Sequence, residues 1–574
     1  MKNRNIIFTT LLLALACFGL SSPKALGVVP APDGGYAGGN TAEGQSALLS
    51  LTTGLYNTGV GIFSLLSLTD GNFCTGVGAG TLLANTAGEN TATGAGALLS
   101  NTTGPNNTAS GAFALFSNTE GGFNTAVGDR ALFTNTTGII NTAVGFNALF
   151  ANNGDPSFGE GSYNCAFGAY ALSDNSTGHY NTALGAIALQ FNTTGEANTA
   201  TGYRALRGNT TGNFNTASGF QALINNTTGF QNTATGASAL LSNTTGGDNT
   251  ATGMSALNAN TTGIGNTANG TDALFGNTTG GDNTANGAGA LFSNTTGANN
   301  TATGAFALQD NTAGVQNTAN GAFALSSNNG DNNTAIGIGA LSDNIDGNGN
   351  TANGAGALGN NTTGNNNIAL GFSAGNNVAT ASNVIAIGSS GEDVSNSCYI
   401  GQIYSNVQPV VGTDPDVVTI NSDGRLGRAN VSSRRYKHDI KPMHEASEAI
   451  YALKPVSFRY HKEYDATQTI AFGLIAEEVA EVHSDLVGRN PKGQPESVRY
   501  EQINAMLLNE FLKEHKKVED QQATIVELKS TVAQQQKGME VLTTDLKEQA
   551  AQIRKISAQV QMTKPAAKVA LSNP

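Results

Sequence analysis

The segment from Val431 to Met443, VSSRRYKHDIKPM, holds the residues whose types could carry out a reaction. A serine hydroxyl is a poor nucleophile until a base removes its proton. A lysine amine can act as that base when burial or a neighbouring cation lowers its pKa. Ser432 and Lys437 provide the two group types, and Arg434 and Arg435 are candidate neighbouring cations. The segment therefore offers the groups for nucleophilic catalysis by a serine.

Other kinds of site are less well supported. Ser432, His438 and Asp439 lie too close in sequence for a catalytic triad, because triad partners come from separate elements. Five of the six histidines follow residue 430, yet none has the spacing of metal ligands. Beyond Cys17, the scattered cysteines make neither a disulfide framework nor a metal site. They are Cys74, Cys165 and Cys398. We therefore expect no cofactor and no metal.

The reactive segment resembles the start of the intramolecular chaperone domain of endosialidases and other phage tail spikes, the S74 peptidase family. That family opens with Ser-Asp-x-Arg-Leu-Lys or close variants, where this chain reads SSRRYK. Ser433 in place of Asp and Tyr436 in place of Leu are departures, while the serine and the lysine keep the family's spacing of five. The resemblance implies that Ser432 attacks the carbonyl of Val431, with Lys437 as general base. It thus implies a single-turnover serine peptidase that cuts its own chain between Val431 and Ser432.

Three further segments are similar to the same domain. ALKPVSFRY resembles its first strand after a short helix, AFGLIAEEVAEVHSDLV its Gly-Leu-Ile-Ala helix, and VRYEQINAMLLNEFLKE its Tyr-x-x-Leu helix. The resemblance implies a small α+β chaperone domain over residues 432–514, which drives the assembly of a homotrimer.

Apolar residues recur every seven positions over residues 515–562, a stretch without proline. Six unbroken heptads predict a coiled coil. Glutamine at alternate companion positions can fix the register and the number of strands. The family resemblance favours three strands over a dimeric coil or one solvated helix, and residues 563–574 are expected to be a disordered tail. The first heptad positions are Val518, Ile525, Val532, Met539, Leu546, Ile553 and Val560, and their companions are Gln521, Leu528, Gln535, Leu542, Gln549 and Ile556.

A 17-residue unit recurs from about residue 40 to 390, and NTAVGDRALFTNTTGII is a clear copy. Glycine and asparagine supply turn conformations, while threonine and small residues suit strands. Two short extended runs, NTAxG and xALxx, are closed by NTTG. They predict a mainly β chain, an elongated β-solenoid of about twenty coils over residues 28–390, followed by a β-rich connector over 391–431. Asparagine and threonine should form hydrogen-bonded ladders along the stack.

The core of each unit is thin. Its regular apolar positions are those of Ala126, Ala131 and Leu132, which rarely offset the ordering entropy of a whole unit. Three chains packed along a common axis could share these rows, so the repeat also predicts a trimer. NTAVGFNAL and NTALGAIAL resemble the heads of trimeric bacterial surface adhesins and the shafts of phage tail fibres, although the 17-residue step is longer than in those heads.

Ligand sites in the repeat are weakly indicated. Calcium-binding solenoids need GGxGxD, and the acidic residues here are sporadic. An ice-binding face needs regular Thr-x-Thr rows, whereas NTTG places its threonines at a turn. Adhesion to surface glycans through the variable positions and a passive spacer role both stay open.

The charge distribution and the N-terminal residues indicate which partners and which cellular location to expect. Residues 28–424 hold 22 acidic and three basic residues in a chain of net charge −13, which leaves no basic footprint for nucleic acid. Lys2 and Arg4 precede an apolar run, Ile6 to Leu20, that is short for a membrane span but typical of a signal peptide. We predict a signal peptide over residues 1–27 with cleavage after Gly27, no transmembrane segment in the mature chain, and an extracellular or cell-surface location.

These features together predict a secreted or cell-surface trimeric fibre, adhesin-like, whose C-terminal chaperone drives assembly and then cuts itself off. The alternatives are a structural spacer that is never cut and a carbohydrate-binding adhesin.

Overall fold

The computed structural model describes residues 36–154, 159–401, 418–420, 426–428, 434, 437–462, 467–490 and 492–562. They belong to two compact units, which divide between Val407 and Gln408. The predicted signal peptide at 1–27, the predicted cut between Val431 and Ser432, and the predicted tail at 563–574 lie outside the described residues.

The first unit contains an elongated, parallel β-solenoid with one three-residue strand in each coil. Each strand pairs in parallel with the next, and partners are usually 17 residues apart, as Thr199 and Thr216 are. The prediction of about twenty coils is confirmed, and at ~4.8 Å a step the ladder is about 100 Å long. It continues past residue 390, where the sequence period fades. The strands are β1 (Thr41–Glu43), β2 (Thr58–Val60), β3 (Thr75–Val77), β4 (Thr91–Thr93), β5 (Thr108–Ser110), β6 (Thr125–Val127), β7 (Thr142–Val144), β8 (Cys165–Phe167), β9 (Thr182–Leu184), β10 (Thr199–Thr201), β11 (Thr216–Ser218), β12 (Thr233–Thr235), β13 (Thr250–Thr252), β14 (Thr267–Asn269), β15 (Thr284–Asn286), β16 (Thr301–Thr303), β17 (Thr318–Asn320), β18 (Thr334–Ile336), β19 (Thr351–Asn353), β20 (Ile368–Leu370), β21 (Ile385–Ile387) and β22 (Cys398–Ile400).

The second extended run of the unit, xALxx, was predicted wrongly. In the coil that begins at Asn124, the backbone turns at Gly128, whose φ is +130°, and Leu132 adopts a left-handed φ of +52°. The N–H of Ala131 donates to the Gly128 carbonyl, and that of Asn135 donates to the Leu132 carbonyl. Because the coil must reverse direction within a few residues to return to its strand, this run folds as a pair of tight turns.

The apolar rows are enclosed by the chain's own coils. Ala126, Ala131 and Leu132 have no exposed surface, and the same holds in almost every coil. The expectation that three chains share these rows is therefore wrong: the rows have no side left open to a neighbour. The missing stabilisation comes instead from polar residues inside the coil.

Buried asparagines form two ladders through the solenoid, which confirms the predicted hydrogen-bonded stack. In one, Asn118 donates its side-chain amide to the Oδ1 of Asn101 at 2.6 Å and to the Gly121 carbonyl at 2.8 Å. In the other, the Asn124 backbone N–H donates to the Oδ1 of Asn107 at 3.0 Å. Threonine hydroxyls of the NTTG turns add a third row by donating to carbonyls of the next coil. Satisfied networks of this kind fix one coil against the next.

The second unit has a small α+β region and a long helix. Its core consists of Val479, Leu486, Val487, Ile503 and Met506. The three segments with family resemblance contain the expected strand after a short helix and the two expected helices, the second of which continues without a break through residues 515–562. The elements are the antiparallel pair β23 (Val418–Ile420) and β24 (Leu426–Arg428), a 3₁₀ helix (His444–Ala452), the antiparallel pair β25 (Val456–Phe458) and β26 (Ala471–Gly473), α1 (Ala476–Val482), a 3₁₀ turn (Ser484–Leu486), the antiparallel pair β27 (Val487–Arg489) and β28 (Pro495–Val498), and α2 (Tyr500–Met562).

Candidate functional site

Of the predicted catalytic pair, only Lys437 lies within the residues that the structure describes. The side chain of Lys437 is exposed, and its backbone N–H donates to the Arg434 carbonyl at 3.1 Å. Val431, Ser432 and Ser433 lie outside the described residues, so the Ser432–Lys437 pair stays a prediction. Burial is one of the two ways in which a lysine becomes a base, and within the single chain Lys437 is not buried.

His438 and Asp439 contact each other, with His438 Nδ1 and Asp439 Oδ2 3.0 Å apart, and both side chains are almost fully exposed. An exposed pair of neighbours on one loop does not form the enclosed, separately supported arrangement that a triad requires. Across the described ranges, no three residues among the histidines, cysteines and acids form a possible metal site.

A buried carboxylate joins the 3₁₀ helix to α2, and it was not predicted from the sequence. Glu510 is 7% exposed and accepts hydrogen bonds from Ser447 Oγ at 2.5 Å and Tyr451 OH at 2.9 Å. Lys513 donates to the same carboxylate at 2.7 Å. Hydrogen bonds from Lys513, Ser447 and Tyr451 hold the pKa of Glu510 at about 2, and the bond to Glu510 raises the pKa of Tyr451.

The signal for this cluster is present in the sequence. Ile503, Met506 and Glu510 follow helical spacing and lie on the one side of α2 that packs against the domain. An acid on an apolar helix face is expected to be paired. The cluster anchors α2 to the domain that carries Lys437.

The rest of α2 presents an apolar stripe to solvent. All the apolar residues at the predicted heptad positions are exposed, from Val518 to Val560. The stripe also extends towards the N-terminus by two residues in the same heptad frame, Phe511 and Leu507, which are 68% and 50% exposed. The helix thus begins well before residue 515, and its exposed apolar stripe starts within the range 432–514 predicted for the chaperone domain.

Some aromatic side chains on the solenoid surface stack on one another from coil to coil. Phe116, Phe133 and Phe150 stack ring on ring, with centroids 5.1 and 5.2 Å apart. Rings stacked in this way cover one another's faces, which are the surfaces that a sugar would need. The asparagines of the NTT sequons, such as Asn243, are buried, so the folded coil hides them from glycosylation. Of the described helices, none has both the length and the apolar character that crossing a membrane requires.

Residues 432–488 match the family model described as "Chaperone of endosialidase". The match begins at the predicted nucleophile and ends in β27. Searches against curated proteins and against solved structures returned no match. The chain therefore combines a β-solenoid of about 21 turns with a C-terminal segment that is similar to the endosialidase chaperone family.

Proposed function

We propose that this chain is a fibre protein exposed outside the cell, that α2 and the chaperone domain bring three copies together, and that the assembled domain cuts the chain between Val431 and Ser432. The observation that carries this proposal is the exposed heptad stripe of α2. An apolar stripe of this length in contact with water is typical of a helix that pairs with copies of itself.

The solenoid explains why such a domain is needed. Its coils are nearly identical, so a coil can pair with several others at almost the same free energy, and the register is poorly specified from within. A separate assembly domain that gathers the chains would align them before the ladders close. Cleavage afterwards would remove that domain and leave the assembled fibre kinetically trapped.

Exposure of Lys437 in the single chain supports the proposed order of events. If assembly buries Lys437, burial disfavours the charged form of its amine, so the neutral amine that can accept a proton becomes available only once the copies have met. The Ser432 hydroxyl would then lose its proton to Lys437 and attack the Val431 carbonyl. The peptide bond would break, the new amino group at residue 432 would take the proton, and water would release the residue 431 carboxyl group from the ester.

The test compares the full chain with the Ser432→Ala and Lys437→Ala variants. We expect fragments that end at residue 431 and begin at residue 432 in the wild type alone, and light scattering should give three copies for all three proteins. Ser433→Ala is the matched control and should be cut normally. An intact wild-type trimer would contradict cleavage and leave the structural spacer, whereas an intact or cut monomer would contradict assembly.

A further inference from the structure

One side of the solenoid carries almost no charge. The strand face consists of the outward side chains at the first and third positions of β1–β22. Over all 22 strands Glu43 is its only charged residue, and the other acids and all the bases of the described coils lie on the turns. Depletion of charge is characteristic of the centre of a protein interface.

The strand face is also exposed and partly apolar. Eighteen of its first positions are threonine, and the third positions are apolar in ten strands. Parallel sheets are normally covered on both faces, yet only the inner face of this sheet is covered. The apolar third positions are Val60, Val77, Val127, Val144, Phe167, Leu184, Ile336, Leu370, Ile387 and Ile400. In β20 and β21 the first positions are apolar as well, Ile368 and Ile385, and both are exposed.

We infer that the strand face is where the solenoids of separate copies meet, in register and along most of their length. The inference rests on the proposed assembly and relocates the contact from the enclosed alanine and leucine rows to the opposite side of the strand. A partner must repeat every ~4.8 Å to contact each coil equivalently, and a second copy of this chain has that repeat. The face measures about 100 Å by 10 Å, or about 1,000 Å², which exceeds the ~800 Å² per partner of a stable interface.

Apolar and polar residues of the strand face would then make different kinds of contact. The apolar third positions in β6–β9 and β20–β22 would supply the dry contacts at two heights, and the threonine and asparagine rows between them would hydrogen-bond across the interface. Two cysteines, Cys165 and Cys398, occupy first positions of this face in β8 and β22. In register, each would lie opposite its own counterpart.

Cysteine cross-linking of the full chain tests the contact. In a background with Cys165→Thr and Cys398→Thr, which restores the usual residue at both positions, Thr250→Cys or Thr252→Cys places a thiol on the strand face. Thr245→Cys, on an exposed turn of the preceding coil, is the matched control. We expect at least one strand-face cysteine to form a disulfide between copies at least ten times faster than the control under mild oxidation.

The outcomes separate this inference from the proposed function. The inference is wrong if light scattering still gives three copies but neither strand-face cysteine forms a disulfide between them. It is also wrong if both strand-face cysteines react with a bulky maleimide as fast as the turn cysteine does. In either case the proposed assembly through α2 stands. If the background protein is a monomer, the proposed assembly fails as well. A β-rich circular dichroism spectrum like that of the wild type confirms that each variant is folded.

Discussion

Each coil of the solenoid encloses its alanine and leucine rows, whereas most of helix α2 leaves its apolar side chains in contact with solvent. Leu132 in the solenoid has no exposed surface, while Leu528 in α2 is 57% exposed. The solenoid core is complete within one chain but carries little information about register, since its coils are alike. In the proposed assembly the heptads of the helix specify both its partner and its register.

The polar residues differ in the same way. In the solenoid the ladder asparagines are buried, and their side chains bond to the coils before and after them. In α2 the glutamines at alternate companion positions are exposed. A polar residue therefore stabilises a single chain in the first region, and in the second it would select among assemblies.

We expect the largest effect from substitutions that prevent the proposed association of α2 helices. Ile525→Glu combined with Val532→Glu puts two carboxylates into the seam, and burying an unpaired charge costs on the order of 3–5 kcal/mol. Light scattering should then show monomers, while the far-ultraviolet spectrum keeps its β component. Ser530→Glu, between the two sites but outside the seam, is the control and should stay associated. Monomers from the control as well would argue against a specific seam.

The solenoid should be most sensitive where coils approach most closely. A Cβ on Gly236 would lie 2.4 Å from the Gly253 carbonyl oxygen, and the φ of Gly236 is +134°. Gly236→Ala should lower the free energy of unfolding by roughly 2–4 kcal/mol, measured by denaturant titration. Gly247→Ala is the matched control, because the three atoms nearest to its Cβ would belong to the Phe230 ring, which can move. Equal losses from the two variants would mean that the close glycine stack is not the cause.

Substitutions in the asparagine ladder should have the next largest effect on the free energy of unfolding. Asn243 donates to Asn226 Oδ1 at 2.8 Å and accepts from Asn260 at 2.7 Å. Asn243→Ala leaves the buried Asn226 oxygen without its donor, which should cost about 1–3 kcal/mol. The exposed Thr245→Ala in the same coil should change stability little. A cost no greater than that of Thr245→Ala would show that water replaces the lost bond.

The sequence predicts the solenoid well because identical units must solve the same packing problem in every coil. Asn118 and Ala126 could be assigned to ladder and core from their recurrence alone. The turn at Leu132 could not, because a left-handed leucine is unfavourable locally and exists only because the coils on either side hold it. The expectation that three chains share the alanine and leucine rows was wrong for a related reason. It considered only the apolar side chains of a coil and omitted the stabilisation that the buried asparagines supply.

Less of the candidate site than of the solenoid could be predicted from the sequence. The spacing of Ser432 and Lys437 is visible in the sequence, but their approach depends on a loop without a repeat to constrain it. Glu510 was missed because its partners Ser447 and Tyr451 lie about 60 residues away. Only the folded domain brings them together.

The Glu510 cluster should make the C-terminal domain sensitive to acid. The pKa of Glu510 is lowered from 4.5 to about 2 by its hydrogen bonds, so its contribution to stability is complete above pH 4.5 and is lost as pH falls through about 2. Glu510→Gln should reduce that dependence of the helical melting temperature, whereas the exposed Glu540→Gln should keep it. An unchanged profile in Glu510→Gln would place the acid sensitivity elsewhere.

The smallest expected effect has the opposite sign to that of the glycine stack. A Cβ on Gly538 in α2 would meet nothing within 4 Å, and glycine within a helix costs about 0.5–1 kcal/mol relative to alanine. Gly538→Ala should therefore raise the melting temperature of the helical signal and leave the β signal unchanged. The same chemical change then destabilises one region and stabilises the other, because Gly236 is held in its conformation by the next coil and Gly538 is held by no neighbour. A loss of helical stability in Gly538→Ala would instead mean that a neighbouring helix of the assembly approaches this position closely and needs the missing side chain.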